Sequence, residues 1–162
     1  MRFFLSAIIL AIFTLPSCQS GAKPDPGEME ELLSVHDSLK QAHNTLATTH
    51  RNLIQRHTQV AQRINDMERP DTSLQALLEG HQKVLSEHNT ILETHNEIHS
   101  KHDSYRLAIS RGDYQQEELD ARMQEMRQDH QSMGEEHQAI KTDHDSMDEQ
   151  HAQITAGIAG SR

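Results

Sequence analysis

Twelve of the 13 histidines in this chain recur at intervals of seven, in three blocks of four: His36, His43, His50, His57; His81, His88, His95, His102; His130, His137, His144, His151. Three residues after each stands an aliphatic, Met or Tyr side chain: Leu39, Leu46, Leu53, Val60; Val84, Ile91, Ile98, Tyr105; Met133, Ile140, Met147, Ile154. A three-four alternation puts both sets on one stripe of an α-helix, with His at heptad position a and the apolar residue at d of a coiled-coil seam. The phase runs past the histidines, through Met29, Leu32, Ile64 and Met67, then Leu74, Leu77 and Ile109, then Leu119, Met123, Met126 and Ile158. The spacing therefore predicts an all-α protein. Gly80 and Gly134 fall inside the pattern and weaken it locally, by about 1 kcal/mol each relative to Ala.

Breaks in the pattern divide it into helices over about 28–68, 72–111 and 113–156, one helical domain over 28–156, with a disordered tail expected at 157–162. Asp25-Pro26-Gly27-Glu28 offers an N-cap acid, a Pro at the first helical position and a following Glu. Pro70 ends the first helix, and Thr72 with Gln75 has the form of a capping box for the second. Gly112 suits a helix C-terminus, and Asp113 with Gln116 can cap the third. The His phase is unbroken across Gly112, so one continuous helix is the alternative there. Similar lengths and short connections predict an antiparallel three-helix bundle or coiled coil; a dimer of hairpins or a parallel oligomer of a longer rod competes with it. In the second helix Leu78, Leu85 and Leu92, one place beyond d, widen the apolar face. Arg56 and Arg63 beside the first seam and Glu87, Asp129, Glu136 and Asp143 beside the others offer charge pairing across the grooves.

Composition narrows the function. All three phenylalanines (Phe3, Phe4, Phe13) precede residue 14, leaving Tyr105 and Tyr114 as the only aromatic rings beyond the histidines, and mean hydropathy is -0.78. No glycine-rich phosphate loop, nucleophile elbow or haem-attachment motif is present, so a non-catalytic protein is expected. Residues 1–17 hold one Arg and no acid; without them 14 Lys and Arg face 25 Asp and Glu, a net charge of -11. That balance argues against nucleic acid as a partner. Cys18 is the single cysteine, which excludes an internal disulfide.

The N-terminus carries a separate signal. Arg2 precedes a charge-free apolar run, Phe3 to Leu15, of the length of a secretory h-region and short for a membrane span. It ends in Leu15-Pro16-Ser17-Cys18, which resembles the lipobox of bacterial lipoproteins, with Pro16 a less usual occupant. The resemblance implies a signal peptide over 1–17, acylation of Cys18, and tethering to a membrane of the cell envelope, on its periplasmic or surface face. Gln19 in place of Asp leans, by the same resemblance, toward the outer membrane. Residues 18–27, rich in Pro and Gly, are expected to form a lipidated, flexible tether. A homo-oligomer or an envelope protein is the expected partner class.

The histidines carry the functional expectation. A buried imidazole must pair its nitrogens or lose free energy in the apolar interior. One explanation is duplication of a His-Asn-x-Leu-x-x-x unit, giving a structural spacer whose polar a residues fix register. The other is metal. If seam histidines of two or three helices share a level, they form the imidazole set that zinc, copper(II), nickel and cobalt favour. Folding about the Arg69-Pro70 turn pairs His36 with His102, His43 with His95, His50 with His88 and His57 with His81, although an a-beside-d arrangement would instead shift the second helix by a layer. Asp129, Glu136 and Asp143 can orient the rings. His99 lies outside the series; with His95 and His102 it forms a local clip on one helix face, or else it is a solvated or stacking residue. The methionines of the third seam read as core filling. Protonating 13 histidines would move the charge from -11 to +2, so a pH-sensitive seam is a third reading.

Overall fold

The computed structural model describes residues 26–67 and 71–160. The expected signal peptide, the lipobox, most of the tether, the Arg69-Pro70 turn and residues 161–162 lie outside them. Among the described residues the chain forms three helices and no strand: α1 Pro26–Asn65, α2 Thr72–Arg111 and α3 Gln116–Gly160. Each packs on both others, α2 antiparallel to α1 and α3, as expected of a three-helix bundle. No described helix is long and apolar enough to cross a membrane.

The helix ends differ from the sequence expectation in instructive ways. α1 stops at Asn65, short of 68, in a turn closed by Asp66 N–H to Gln62 O and Met67 N–H to Ile64 O. The cap of α2 is Asp71 and not Thr72: its Oδ1 accepts from the Ser73 and Leu74 amides at 2.8 and 3.3 Å and from the Ser73 hydroxyl at 2.6 Å. A carboxylate at that place meets both the free amides and the positive end of the helix dipole. Gln75 donates instead to Asn65 Oδ1, tying α2 to the end of α1. Gly112 takes φ 73°, a left-handed conformation that glycine adopts without steric cost, and the amides of Gly112 and Asp113 close α2 on Ile109 O and Ala108 O. The continuous helix is thereby ruled out. Asp113 serves that closure and does not cap α3, which starts at Gln116 and not 113. At the far end α3 runs through Gly160, so residues 157–160 of the expected disordered tail are helical. Ile158 continues the apolar stripe and packs against the cluster of Val60, Ile64, Leu78 and Ile154, which holds that last turn in place.

The histidines hold the seam in all three helices. On α1 and α3 their buried companions stand three residues after them, as in Leu53, Val60, Met133, Ile140, Met147 and Ile154. On α2 they stand three residues before: Leu78, Leu85, Leu92 and His99 are buried, whereas Val84, Ile91, Ile98 and Tyr105 are half-buried and Leu77 is 38% exposed. Chain reversal explains the difference. Filling the gap between two levels from an antiparallel helix requires a step of the opposite sign, so +3 on α1 and α3 becomes -3 on α2.

The result is a stack of layers. One end is closed by Leu32, Met123 and Met126 with Met29, Tyr105 and Leu119 against them. Four histidine levels follow, separated by intervening layers of which Leu53, Leu85 and Met147 form one. Val60, Ile64, Leu78 and Ile154 close the other end. At 1.5 Å per residue, successive histidine levels lie about 10 Å apart.

Candidate metal centre

Four triads occupy these levels: His36, His102 and His130; His43, His95 and His137; His50, His88 and His144; His57, His81 and His151. Each takes one ring from each helix, so all twelve periodic histidines are used. In every triad one nitrogen per ring lies within 4.8 Å of the other two. The α1–α2 pairing about the Arg69-Pro70 turn is the one the sequence allowed, and the alternative with α2 shifted by a layer does not occur. Ring centroids within a triad are 4.8 to 6.0 Å apart. All thirteen histidines are at most 9% exposed.

The nitrogens sort into outer and inner sets. On α2, every outer Nε2 meets an oxygen from the α3 residue preceding the triad's own α3 histidine: His102 with Asp129 at 2.9 Å, His95 with Glu136, His88 with Asp143 at 3.1 Å, and His81 with Gln150 at 2.7 Å. On α1, Nε2 of His36 meets Asp103 at 3.2 Å and Nε2 of His43 meets Asn96 Oδ1 at 3.1 Å, each the residue after an α2 histidine. An ionised carboxylate only accepts, so the imidazole Nε2–H donates and the proton is fixed on the outside of the ring. Nδ1 of such a ring is then a lone pair turned inward, the arrangement by which carboxylates orient metal-binding histidines.

The inner nitrogens face one another. His50 Nδ1 and His144 Nε2 are 3.0 Å apart, His57 Nδ1 and His151 Nε2 3.3 Å, His36 Nδ1 and His130 Nε2 3.4 Å, His95 Nδ1 and His137 Nε2 3.1 Å, and His81 Nδ1 and His151 Nε2 3.2 Å. Two imidazoles on one tetrahedral ion with bonds of 2.0–2.1 Å have their nitrogens roughly 3.3 Å apart. These pairs are thus close to ligand spacing, and α3 supplies Nε2 where α1 and α2 supply Nδ1. Several buried nitrogens have no partner, among them His43 Nδ1, His88 Nδ1, His102 Nδ1 and Nδ1 of all four α3 rings. An ion at the centre of a level would engage the first three.

Electrostatics favours the neutral, ligating form. Burial, followed by the repulsion of neighbouring imidazoles, pushes His130, His137, His144 and His151 down to about 4. His43, His50, His57 and His102 are also lowered, chiefly by burial. Partial burial works the other way on Asp103 and Asp129, but Lys40 with His36, and Lys101 with His102, hold these carboxyls below the usual range. They remain anionic acceptors. Lys101 also reaches Glu125, which accepts from the Tyr105 hydroxyl at 2.9 Å, so a charged network covers the first level.

The structure places Asp129, Glu136 and Asp143 as the sequence proposed, while Gln150, Asn96 and Asp103 were missed as acceptors. The seven-residue recurrence Asp129, Glu136, Asp143, Gln150 was the available signal. Of the charged residues beside the seam, Arg56 forms a two-pronged pair with Asp148. His95, His99 and His102 do not share one level: His95 and His102 belong to different triads, and His99 lies buried between them, its rings 5.2 Å from His36 and 5.3 Å from His43. No known protein family, curated protein or solved structure matches this chain.

Proposed function

We propose that this protein is a non-catalytic lipoprotein of the bacterial cell envelope, anchored through Cys18, that binds or buffers a divalent transition metal (zinc, copper, nickel or cobalt) in its histidine levels. One observation carries the metal reading: four times over, three imidazoles from three helices bring a nitrogen each to within 4.8 Å of the others. Oriented lone pairs on His36, His88, His95 and His102 support it, since an outer hydrogen bond to a carboxylate leaves the inner nitrogen unprotonated. The borderline character of imidazole selects the later first-row metals over calcium or magnesium. The anchor reading rests on Leu15-Pro16-Ser17-Cys18 and the apolar run before it.

The test is a thermal melt of the purified protein after EDTA stripping, with and without zinc, copper, nickel or cobalt, followed by helical circular dichroism. A ligand at a hundred times its dissociation constant adds about 2.7 kcal/mol to the folded state. A saturable rise with one of these metals is expected. Mass spectrometry of the membrane-extracted protein should find acyl chains on Cys18, and Cys18→Ser should release the protein from membranes. A second reading is a structural spacer whose histidines fix register. The direct N···N hydrogen bonds between α1 and α3 favour it, because they satisfy some rings without an ion. A cooperative melt that no metal shifts would establish that reading in place of the first.

A further inference from the structure

In the stack, each layer that follows a histidine level, counting the three gaps between levels and the end cluster after the fourth, takes from α2 the residue three before that level's own α2 histidine. At three such places that residue is Leu: Leu78, Leu85 and Leu92, all buried. At the fourth it is His99, in the layer that by register also holds Leu39 and Met133, between the level of His36, His102 and His130 and that of His43, His95 and His137. His99 is 4% exposed, and neither of its ring nitrogens has a hydrogen-bond partner. Its ring is set edge-on to one member of each flanking triad, 5.2 Å from His36 and 5.3 Å from His43. The other buried rings each belong to a level; His99 belongs to none and touches two.

A side chain with two buried, unsatisfied nitrogens at a site where the repeat otherwise places Leu costs stability that its edge-on ring contacts do not explain, since a Leu would fill the layer without unpaired polar atoms. It makes sense as a ligand. From metal binding at the histidine levels, on which this step rests, we infer that His99 is a fourth imidazole ligand shared by its two flanking triads, so that these levels form one two-position site that holds its first ion with four histidines. A change of side-chain torsion toward one level supplies the fourth nitrogen there and leaves the other level with three. The remaining two levels, bordered from α2 by Leu92, Leu85 and Leu78, have no fourth histidine within the seam. A fourth protein nitrogen closes a tetrahedral site that three leave open to water. The protein would then take up four ions in two classes, one tight and three weaker.

The experiment titrates the full chain with zinc against a chromophoric chelator and measures zinc X-ray absorption at half an equivalent, for the parent and for His99→Leu. That substitution copies the residue of the three sister layers, so the variant is expected to fold, with a metal-free melt no lower than the parent's. In the parent the first equivalent should bind at least tenfold more tightly than the others and show four imidazoles around zinc. In His99→Leu the tight class should disappear, the first equivalent should show three imidazoles, and the total should remain four. A variant that keeps the parent's tight class and imidazole number overturns the assignment of His99. A parent that binds zinc in one class with three imidazoles does the same while leaving metal binding at the triads intact. A parent that binds no zinc overturns the assignment of His99, and melts that copper, nickel and cobalt also leave unshifted overturn metal binding at the triads with it.

Discussion

His95 donates its Nε2 proton to the carboxylate of Glu136, and this one hydrogen bond decides that the ring turns a lone pair toward the bundle axis. Glu136 precedes His137, whose Nε2 faces the other nitrogen of the same ring at 3.1 Å. Two consecutive residues of α3 thus grip His95 from both sides; Gln150 and His151 grip His81 in the same way, while at His102 and His88 only the outer contact, to Asp129 and Asp143, recurs.

From this follows a graded effect on metal affinity. Loss of an outer partner to a metal-bound histidine typically costs 10- to 100-fold in affinity. Glu136→Gln should weaken one level by about that factor and leave the other three unchanged. Gln150→Glu should strengthen the level of His57, His81 and His151, whose α2 ring now bonds a neutral amide. Chelator-competition titrations of the two variants check both directions, and equal affinities in parent and variants would contradict the role given to the outer acceptors.

Acid should unfold the metal-free protein, with a sign fixed by the depressed histidines. His99, His130, His137, His144 and His151 sit near 4 in the folded chain against 6.5 for an unperturbed histidine. The unfolded chain binds protons from 6.5 downward, whereas these folded rings bind them only near 4. Stability is therefore complete above pH 6.5 and is lost as pH falls from 6.5 toward 4. Urea midpoints should be flat from pH 8 to 7 and drop steeply below 6.5, with up to five protons taken up by these groups per unfolding event. A midpoint unchanged down to pH 5 would refute this.

Replacing one whole level by leucine should separate function from stability. In the level of His50, His88 and His144, three nitrogens (His50 Nε2, His88 Nδ1 and His144 Nδ1) are buried without a partner. At about 1 kcal/mol or more for each unsatisfied buried group, the variant His50→Leu, His88→Leu, His144→Leu should be roughly 3 kcal/mol more stable than the parent in EDTA. It should bind one ion fewer. Denaturant melts in EDTA and metal titrations read the two effects independently, and a less stable variant would show that the level contributes to packing in ways the unpaired nitrogens do not reveal.

The helix-interior glycines make a separate prediction. A Cβ added at Gly80 would meet nothing within 4 Å. Gly80→Ala should therefore stabilise the protein by about 0.5–1 kcal/mol through the entropy of the unfolded chain, with metal stoichiometry unchanged. A urea melt of the single variant checks it.

Much of this architecture can be read in the sequence, because a seven-residue histidine period leaves one stripe per helix on which the apolar companions must also lie. The levels joining His36 to His102 and His57 to His81 follow from folding that stripe back on itself. The outer carboxylates Asp129, Glu136 and Asp143 follow from their place beside each histidine. What the sequence hides is the effect of reversal. Counting +3 from every histidine selects Val84, Ile91 and Ile98 on α2, where the interior in fact takes Leu78, Leu85, Leu92 and His99. Spacing along one chain carries no sign for the direction in which a neighbour runs; the signal available was the seven-residue series Leu78, Leu85, Leu92, which already widened the apolar face and which His99 continues. The acceptors Asn96 and Asp103 depend on the same reversal. The cap at Asp71 was missed for a different reason: adjacent polar residues offer competing caps, and only the backbone at the turn selects among them.

The sameness of the four histidine levels has a mechanical consequence. Sliding one helix past its neighbours by a heptad, about 10 Å, would bring three of its four rings opposite rings again. The histidine levels therefore measure distance only modulo seven, like a ruler whose graduations bear no numerals. Its zero is set elsewhere: by Asp71 at the start of α2, by the left-handed Gly112 at its end, and by the two unlike ends of the stack, methionine-rich at one and aliphatic at the other. In this protein the turns and end clusters, and not the repeated centre, hold the alignment of the helices.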